Sequence, residues 1–184
     1  MDKIRILIAD DHVVVRKGIC QVITDQEGLD VIAEAGNGIE ALELARETLP
    51  DIVMLDIAMP ELNGIEAVGM IKEAVPKAGI IILSMHAKES YVHQALHAGA
   101  LGYILKDAPS SDIVDAIHAA VQGEYFLSSK IKADVIHAYT KNEPGKSSAR
   151  GYDLLSDREQ QVFRLVVEGK SAKGIAALLF VSPK

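Results

Sequence analysis

Short apolar runs and amphipathic stretches alternate five times along the first two thirds of the chain. The runs "KIRILIA" (3–9), "LDVIAEA" (29–35), "DIVMLDI" (51–57), "AGIIILSM" (78–85) and "ALGYILK" (100–106) have the length of strands. Between and after them, "VVVRKGICQVIT", "GIEALELARETL", "GIEAVGMIKEAV", "KESYVHQALHAG" and "SSDIVDAIHAAVQG" carry apolar residues at helical spacing. Ser111 offers a cap for the last of these. Strands that are continuously apolar, rather than alternating, are covered on both faces. The pattern therefore predicts an α/β fold: a five-stranded parallel, doubly wound sheet between two layers of helices. One more helix is predicted over 128–140. "KNEPGKSSARGYD" (141–153) is polar and rich in turn formers, and reads as a linker. A new helical periodicity starts at Leu155.

Charge divides the chain at about the same place. Residues 1–128 hold 9 Lys/Arg and 20 Asp/Glu, whereas residues 129–184 hold 10 and 6. An acidic first part joined to a basic second part suggests two tasks, the second weakly directed to a polyanion. The single cysteine, Cys20, excludes an internal disulfide framework and reads as a buried, inert thiol. No apolar run approaches a membrane span and no secretory leader is present, so a cytoplasmic location without membrane contact is expected.

Candidate chemistry gathers at strand ends, where doubly wound sheets keep their crevice. Asp10 and Asp11 follow the first strand and Asp56 ends the third. One strand-end aspartate is commonly a helix cap; three brought together repel one another unless a cation intervenes. Hard oxygen ligands suit Mg2+. Ser84 ends the fourth strand and Lys106 the fifth, adding a hydroxyl and an ammonium of the kind a phosphoryl group needs. His12 reads as a loop neighbour of the acid pair. His86, His93 and His97 have no matching ligand set and read as an exposed helix face. Met54, Met59, Met70 and Met85 read as core and pocket filler.

The segments "IADDH", "LDIAMPELNG", "ILSMH" and "YILKDA" resemble the signature segments of response-regulator receiver domains, whose fold is of the flavodoxin or CheY kind. The resemblance covers residues 1–125. It implies that Asp56 accepts a phosphoryl group from a sensor histidine kinase. It further implies that Asp10, Asp11, Asp56 and the backbone carbonyl of Ala58 hold Mg2+, that Lys106 contacts the phosphoryl group, and that Ser84 and Tyr103 form a switch pair. Asp107 stands where the family has a proline. Such a protein is no enzyme beyond its own phosphorylation and dephosphorylation.

The last stretch, "LSDREQQVFRLVVEGKSAKGIAALLFVSPK", opens on a capping box, Ser156 to Glu159, and continues with a second helix capped by Ser171. Two short helices alone are only a generic hairpin. The stretch is similar, however, to the first part of the LuxR-type helix-turn-helix domain, which places the chain with the NarL/FixJ response regulators. Gly174 stands where the family has an acidic residue. Residues 126–153 are then a helix and linker, and 154–184 a partial DNA-binding domain. Ser182 and Pro183 read as the cap and first turn of a recognition helix that is absent. The expected function is a phosphorylation-switched regulator of transcription. DNA binding is expected of a longer parent chain. The apolar faces of the two helices lack their usual cover, so the pair is expected to be mobile or to pack against the receiver or another chain, and a homodimer is expected. The alternative is a phosphorylatable dimerisation or competitor module that reads no DNA. A Mg2+-dependent phosphate-handling enzyme ranks last, for want of a positioned general base.

Overall fold

The computed structural model describes residues 3–133 and seven later positions, Val162, Leu165, Val166, Lys170, Ser171, Gly174 and Ile175. Six parallel strands form one sheet: β1 (Ile4–Ala9), β2 (Leu29–Ala35), β3 (Ile52–Asp56), β4 (Gly79–Ser84), β5 (Gly102–Leu105) and β6 (Phe126–Leu127), in the order β2-β1-β3-β4-β5-β6. The five expected strands are present, and a two-residue sixth extends the sheet. Helices α1 (Val13–Thr24), α2 (Gly38–Thr48), α3 (Gly64–Ala74), α4 (Glu89–Ala98) and α5 (Ser110–Val121) connect successive strands. No described helix is long and apolar enough to cross a membrane.

Each central strand is buried on both sides, and its residues alternate between two cores. Leu7, Val53, Leu55, Ile80 and Ile82 face α2, α3 and α4 through Ala41, Ala45, Val68, Ile71 and Val92. Ile6, Ile8, Ile52, Met54, Ile81 and Leu83 face α1 and α5 through Ile19, Ile23, Ala116 and Ile117. Because both faces are apolar, hydrophobicity alone does not fix the register of such strands. The polar ends do. At the start of β1 and β3, Arg5 N–H donates to Asp51 Oδ2 at 2.8 Å and the Arg5 guanidinium donates to Leu49 O at 3.0 Å. A slip at the other end would carry Asp10 or Asp56 away from Lys106 and in among apolar neighbours, and burying an unpaired charge there costs several kcal/mol (on the order of the 2–7 kcal/mol for unpaired polar groups, or more).

Two helices next to the strand ends start on asparagine. Asn37 Oδ1 accepts from Glu40 N–H at 2.8 Å, and Glu40 returns a bond to Gly36 N–H at 2.6 Å. Asn63 Oδ1 accepts from Glu66 N–H at 2.9 Å. Each cap contributes about 1 kcal/mol. Helix α5 departs from expectation: it begins at Ser110 after Pro109, with no side-chain cap, and Ser111 lies inside it. Proline presets the entry backbone, so the hydroxyl is not needed there.

After β6 the chain turns helical at residues 129–133. The rest of the helix expected over 128–140, the linker, the capping box at Ser156 and the Ser182–Pro183 ending lie outside the described residues. Val166 and Ile175 are buried together, packed with Val162, Leu165, Leu96 of α4 and Tyr125. Part of the apolar face of the C-terminal region is thus covered by the sheet domain itself. Ser171 caps as expected, its Oγ accepting from Gly174 N–H at 3.0 Å.

Candidate phosphoacceptor site

The register of the sheet builds the site. Ala9 pairs with Leu55, so Asp10 and Asp56 emerge side by side. Asp56 pairs with Leu83, which carries Ser84 one residue higher, and Ser84 pairs with Leu105, which carries Lys106 higher again. Four strand ends thus form a staircase over one crevice. The Lys106 side chain is only 7% exposed, and its ammonium lies 2.7 Å from Asp10 Oδ2 and 3.0 Å from Asp56 Oδ1. Asp10 is fully buried and Asp56 nearly so.

One cation among three carboxylates leaves the crevice short of positive charge. Asp56 Oδ2 is buried and has no hydrogen-bond partner. Asp10 Oδ2 meets Lys106 by charge and closeness, without the angles of a hydrogen bond. Burial pushes the Asp56 carboxyl above its ordinary range. Lys106 pulls it back, the Asp10 charge raises it, and Ala58 N–H lowers it. Ligand atoms of Asp10, Asp11, His12 and Asp56 lie within 4.8 Å of one another. Opposite ligands of an octahedral Mg2+ stand about 4.2 Å apart, since each lies at about 2.1 Å. Its three carboxylates, one of them buried and unsatisfied, therefore fit a hard divalent cation, and His12 adds one nitrogen beside them.

The expected switch pair is also brought together. The Tyr103 ring is fully buried. Its hydroxyl donates to His86 O at 2.8 Å, while Ser84 Oγ accepts from His86 N–H at 3.0 Å. The backbone of His86 thus clamps both members, a role the sequence did not reveal. Burial pushes the Tyr103 phenol up to about 12, against a smaller opposing bond to Ser84. Beyond it, Tyr103 O accepts from Ser128 N–H at 3.1 Å, and Leu105 N–H donates to Ser128 Oγ at 3.2 Å. The segment leaving the sheet is therefore bonded directly to the strand that carries Tyr103 and Lys106.

Other residues shape the crevice. Arg16 on α1 donates from Nη1 to the Asp10 carbonyl and from Nε to Glu34 Oε2 at 3.1 Å. Lys17 bonds Glu34 at 2.8 Å and, ahead of Arg16, holds its carboxyl below the usual range against a smaller burial effect. His12 lies closer than a loop neighbour: Nδ1 is 2.7 Å from Asp11 Oδ1 and 3.5 Å from Asp10 Oδ1. Gly64 opens α3 hard against β3, where a Cβ would overlap the Asp56 carbonyl. Its signal was the "NG" pair eight residues after the phosphoacceptor candidate. His93 and His97 stack at 5.9 Å along α4, away from the converging ligand set. Met54 and Met59 are buried, but Met70 is 45 % and Met85 70 % exposed, because one lies on the outer face of α3 and the other just past β4. Cys20 is half-buried, and burial raises its thiol pKa.

Comparison with known proteins gives the family and the fold. A sequence model of the response regulator receiver domain matches residues 6–118, and one of bacterial regulatory proteins of the luxR family matches residues 153–184. The oxygen regulatory protein NreC of Staphylococcus epidermidis is 36% identical over 184 residues, covering 98% of this chain and 84% of that protein. The crystal structure of a LuxR-family two-component response regulator from Aurantimonas sp. SI85-9A1 superimposes with a TM-score of 0.73 at 36% identity, over 76% of this chain and 100% of the other. CheY of Borrelia burgdorferi, solved in a complex with CheX, BeF3 and Mg2+, gives a TM-score of 0.60 at 32% identity, over 63% of this chain and 87% of the other. A receiver match followed by a luxR match favours a regulator with an output region over a competitor module without one.

Proposed function

The chain belongs to the response regulators that join a receiver domain to a LuxR-type DNA-binding region, and on that premise we propose that Asp56 is its phosphoacceptor. The observation that carries this is the buried Asp56 carboxylate, with one oxygen unpartnered and the other against Lys106. A carboxylate oxygen of Asp56 attacks the phosphorus of a phosphohistidine on a sensor kinase. The P–N bond breaks, and the leaving imidazole recovers a proton. Asp10, Asp11, Asp56 and the Ala58 carbonyl would hold Mg2+, which neutralises phosphoryl oxygen charge when bound. Lys106 neutralises a further oxygen. Ser84 turns its hydroxyl from His86 N–H toward the new phosphoryl group, and Tyr103 follows because the same His86 backbone holds it.

The added charge of about −1.5 to −2 must bias an element with two arrangements. Two paths lead outward. One runs along β5 to Ser128 and the helix after it; the other runs through α4, where Leu96 touches Val166 and Ile175. The proposed division is a receiver reaching through β6, a connecting segment, and an output region from residue 154 that contacts DNA.

A small acyl phosphate with Mg2+ tests the reading. The unaltered chain should gain one phosphoryl mass, mapped to Asp56, and lose it on hydroxylamine treatment. Asp56→Asn should gain none; equal labelling of the two would refute the assignment.

A further inference from the structure

The imidazole of His12 has no part in the scheme above, yet it stands inside the converging ligand set. Lys106 occupies Asp10 Oδ2 and Asp56 Oδ1. The oxygens left over are Asp10 Oδ1, 3.5 Å from His12 Nδ1, and the unpartnered, buried Asp56 Oδ2. Asp11 Oδ1 is 2.7 Å from the same nitrogen. The backbone places the residue beside the acids: His12 N–H donates to Asp10 Oδ1 at 2.9 Å, and His12 is the N-cap of α1.

An oxygen-only set suits Mg2+, but imidazole nitrogen adds little for that ion and much for Zn2+ or Ni2+. We propose that His12 makes the crevice a second kind of metal site, one that binds a nitrogen-seeking first-row transition ion through His12, Asp10, Asp11 and Asp56. This rests on the reading of the crevice as a cation site. A Zn2+ ion held by these four protein groups would have no open position. It would also engage Asp56, so it competes with phosphorylation instead of assisting it.

Affinities for Mg2+, Zn2+ and Ni2+ can be measured by competition with a chromophoric chelator, for the full chain and for His12→Ala and Asp10→Asn. His12 is exposed, so its removal leaves the fold intact. His12→Ala should weaken Zn2+ and Ni2+ by about tenfold or more while changing Mg2+ by less than about threefold, since one nitrogen ligand is lost and no oxygen. The ring nitrogen resonance of His12 should shift with Zn2+ and not with Mg2+. Asp10→Asn should weaken all three ions. Equal losses for Mg2+ and Zn2+ in His12→Ala, no loss for either, or Zn2+ binding untouched in Asp10→Asn would overturn the inference. Zn2+ binding through His12 in a chain that takes no Mg2+ would uphold it while refuting the phosphoacceptor reading, so the two are separable.

Discussion

Replacing Asp56 by asparagine should make the metal-free protein more stable. The native side chain is nearly completely buried, shares one crevice with the Asp10 and Asp11 carboxylates, and leaves Oδ2 without a partner. A buried acceptor left unsatisfied costs about 1–3 kcal/mol. Asparagine is nearly isosteric. Its carbonyl keeps the place beside Lys106, and its NH2 puts a donor where the orphan oxygen faces two acids. Part of the gain is offset, because Lys106 exchanges one charged neighbour for a dipole; it keeps Asp10 at 2.7 Å. The net expectation is a gain of about 1–2 kcal/mol near neutral pH, from the lower part of that range. At this chain length it corresponds to a Tm rise of roughly 2–8 °C. The sign with pH follows from the raised Asp56 pKa. The native carboxyl is uncharged and harmless below its unfolded pKa of about 3.9, and its cost grows as pH rises through the higher folded value. The two proteins should therefore converge in acid and separate toward neutrality. Urea unfolding in a chelating buffer measures the difference. Adding Mg2+ should stabilise the native chain more than the variant, since the ion binds the folded site only and has lost one ligand. An asparagine variant no more stable than the parent in chelator would show that Lys106 already compensates Asp56, and the electrostatic account of the crevice would fall.

Two glycines of α3 make a matched pair. Gly64→Ala should cost about 1–3 kcal/mol and slow phosphorylation, because the methyl group displaces the Asp56 backbone. Gly69→Ala, with open space around it, should gain up to about 1 kcal/mol and leave phosphorylation unchanged. Thermal melts with a labelling time course read both, and similar behaviour of the two would contradict the contact. Tyr103→Phe should cost about 1 kcal/mol by leaving the His86 carbonyl without its donor. In the parent, the phenol contributes stability that is complete below its unfolded pKa of about 10 and lost as pH rises through about 12. A variant with the same alkaline decline and the same tyrosinate absorbance curve would place that titration elsewhere.

What could be read from residues alone follows from how parallel sheets are built. Strand ends in such a sheet share one edge, so Asp10, Asp56, Ser84 and Lys106 could be placed together from strand order without any coordinates. Features built from backbone atoms had no such signature. The His86 clamp uses only an N–H and a carbonyl, which any residue supplies. Strand β6 is two residues long, too short for a period of two to show. Ser111 looked like a cap because hydroxyls often are, but the proline two residues earlier had already set the turn. The approach of Nδ1 of His12 to Asp11 depends on a rotamer, which sequence spacing does not encode.

Strand β6 also decides where the receiver can be cut free. Its two residues and Ser128 supply the hydrogen bonds along the outer side of β5. A fragment ending at Glu124 would leave that side bare, with unpaired N–H and C=O groups beside Tyr103. Bare sheet edges recruit other edges, and such a fragment would tend to associate or aggregate even though every acidic residue of the crevice was retained. Ending the fragment after Ala133 keeps the edge covered and the strand under Lys106 anchored. For anyone preparing the signalling half in isolation, the boundary of the fold lies beyond the boundary of the chemistry.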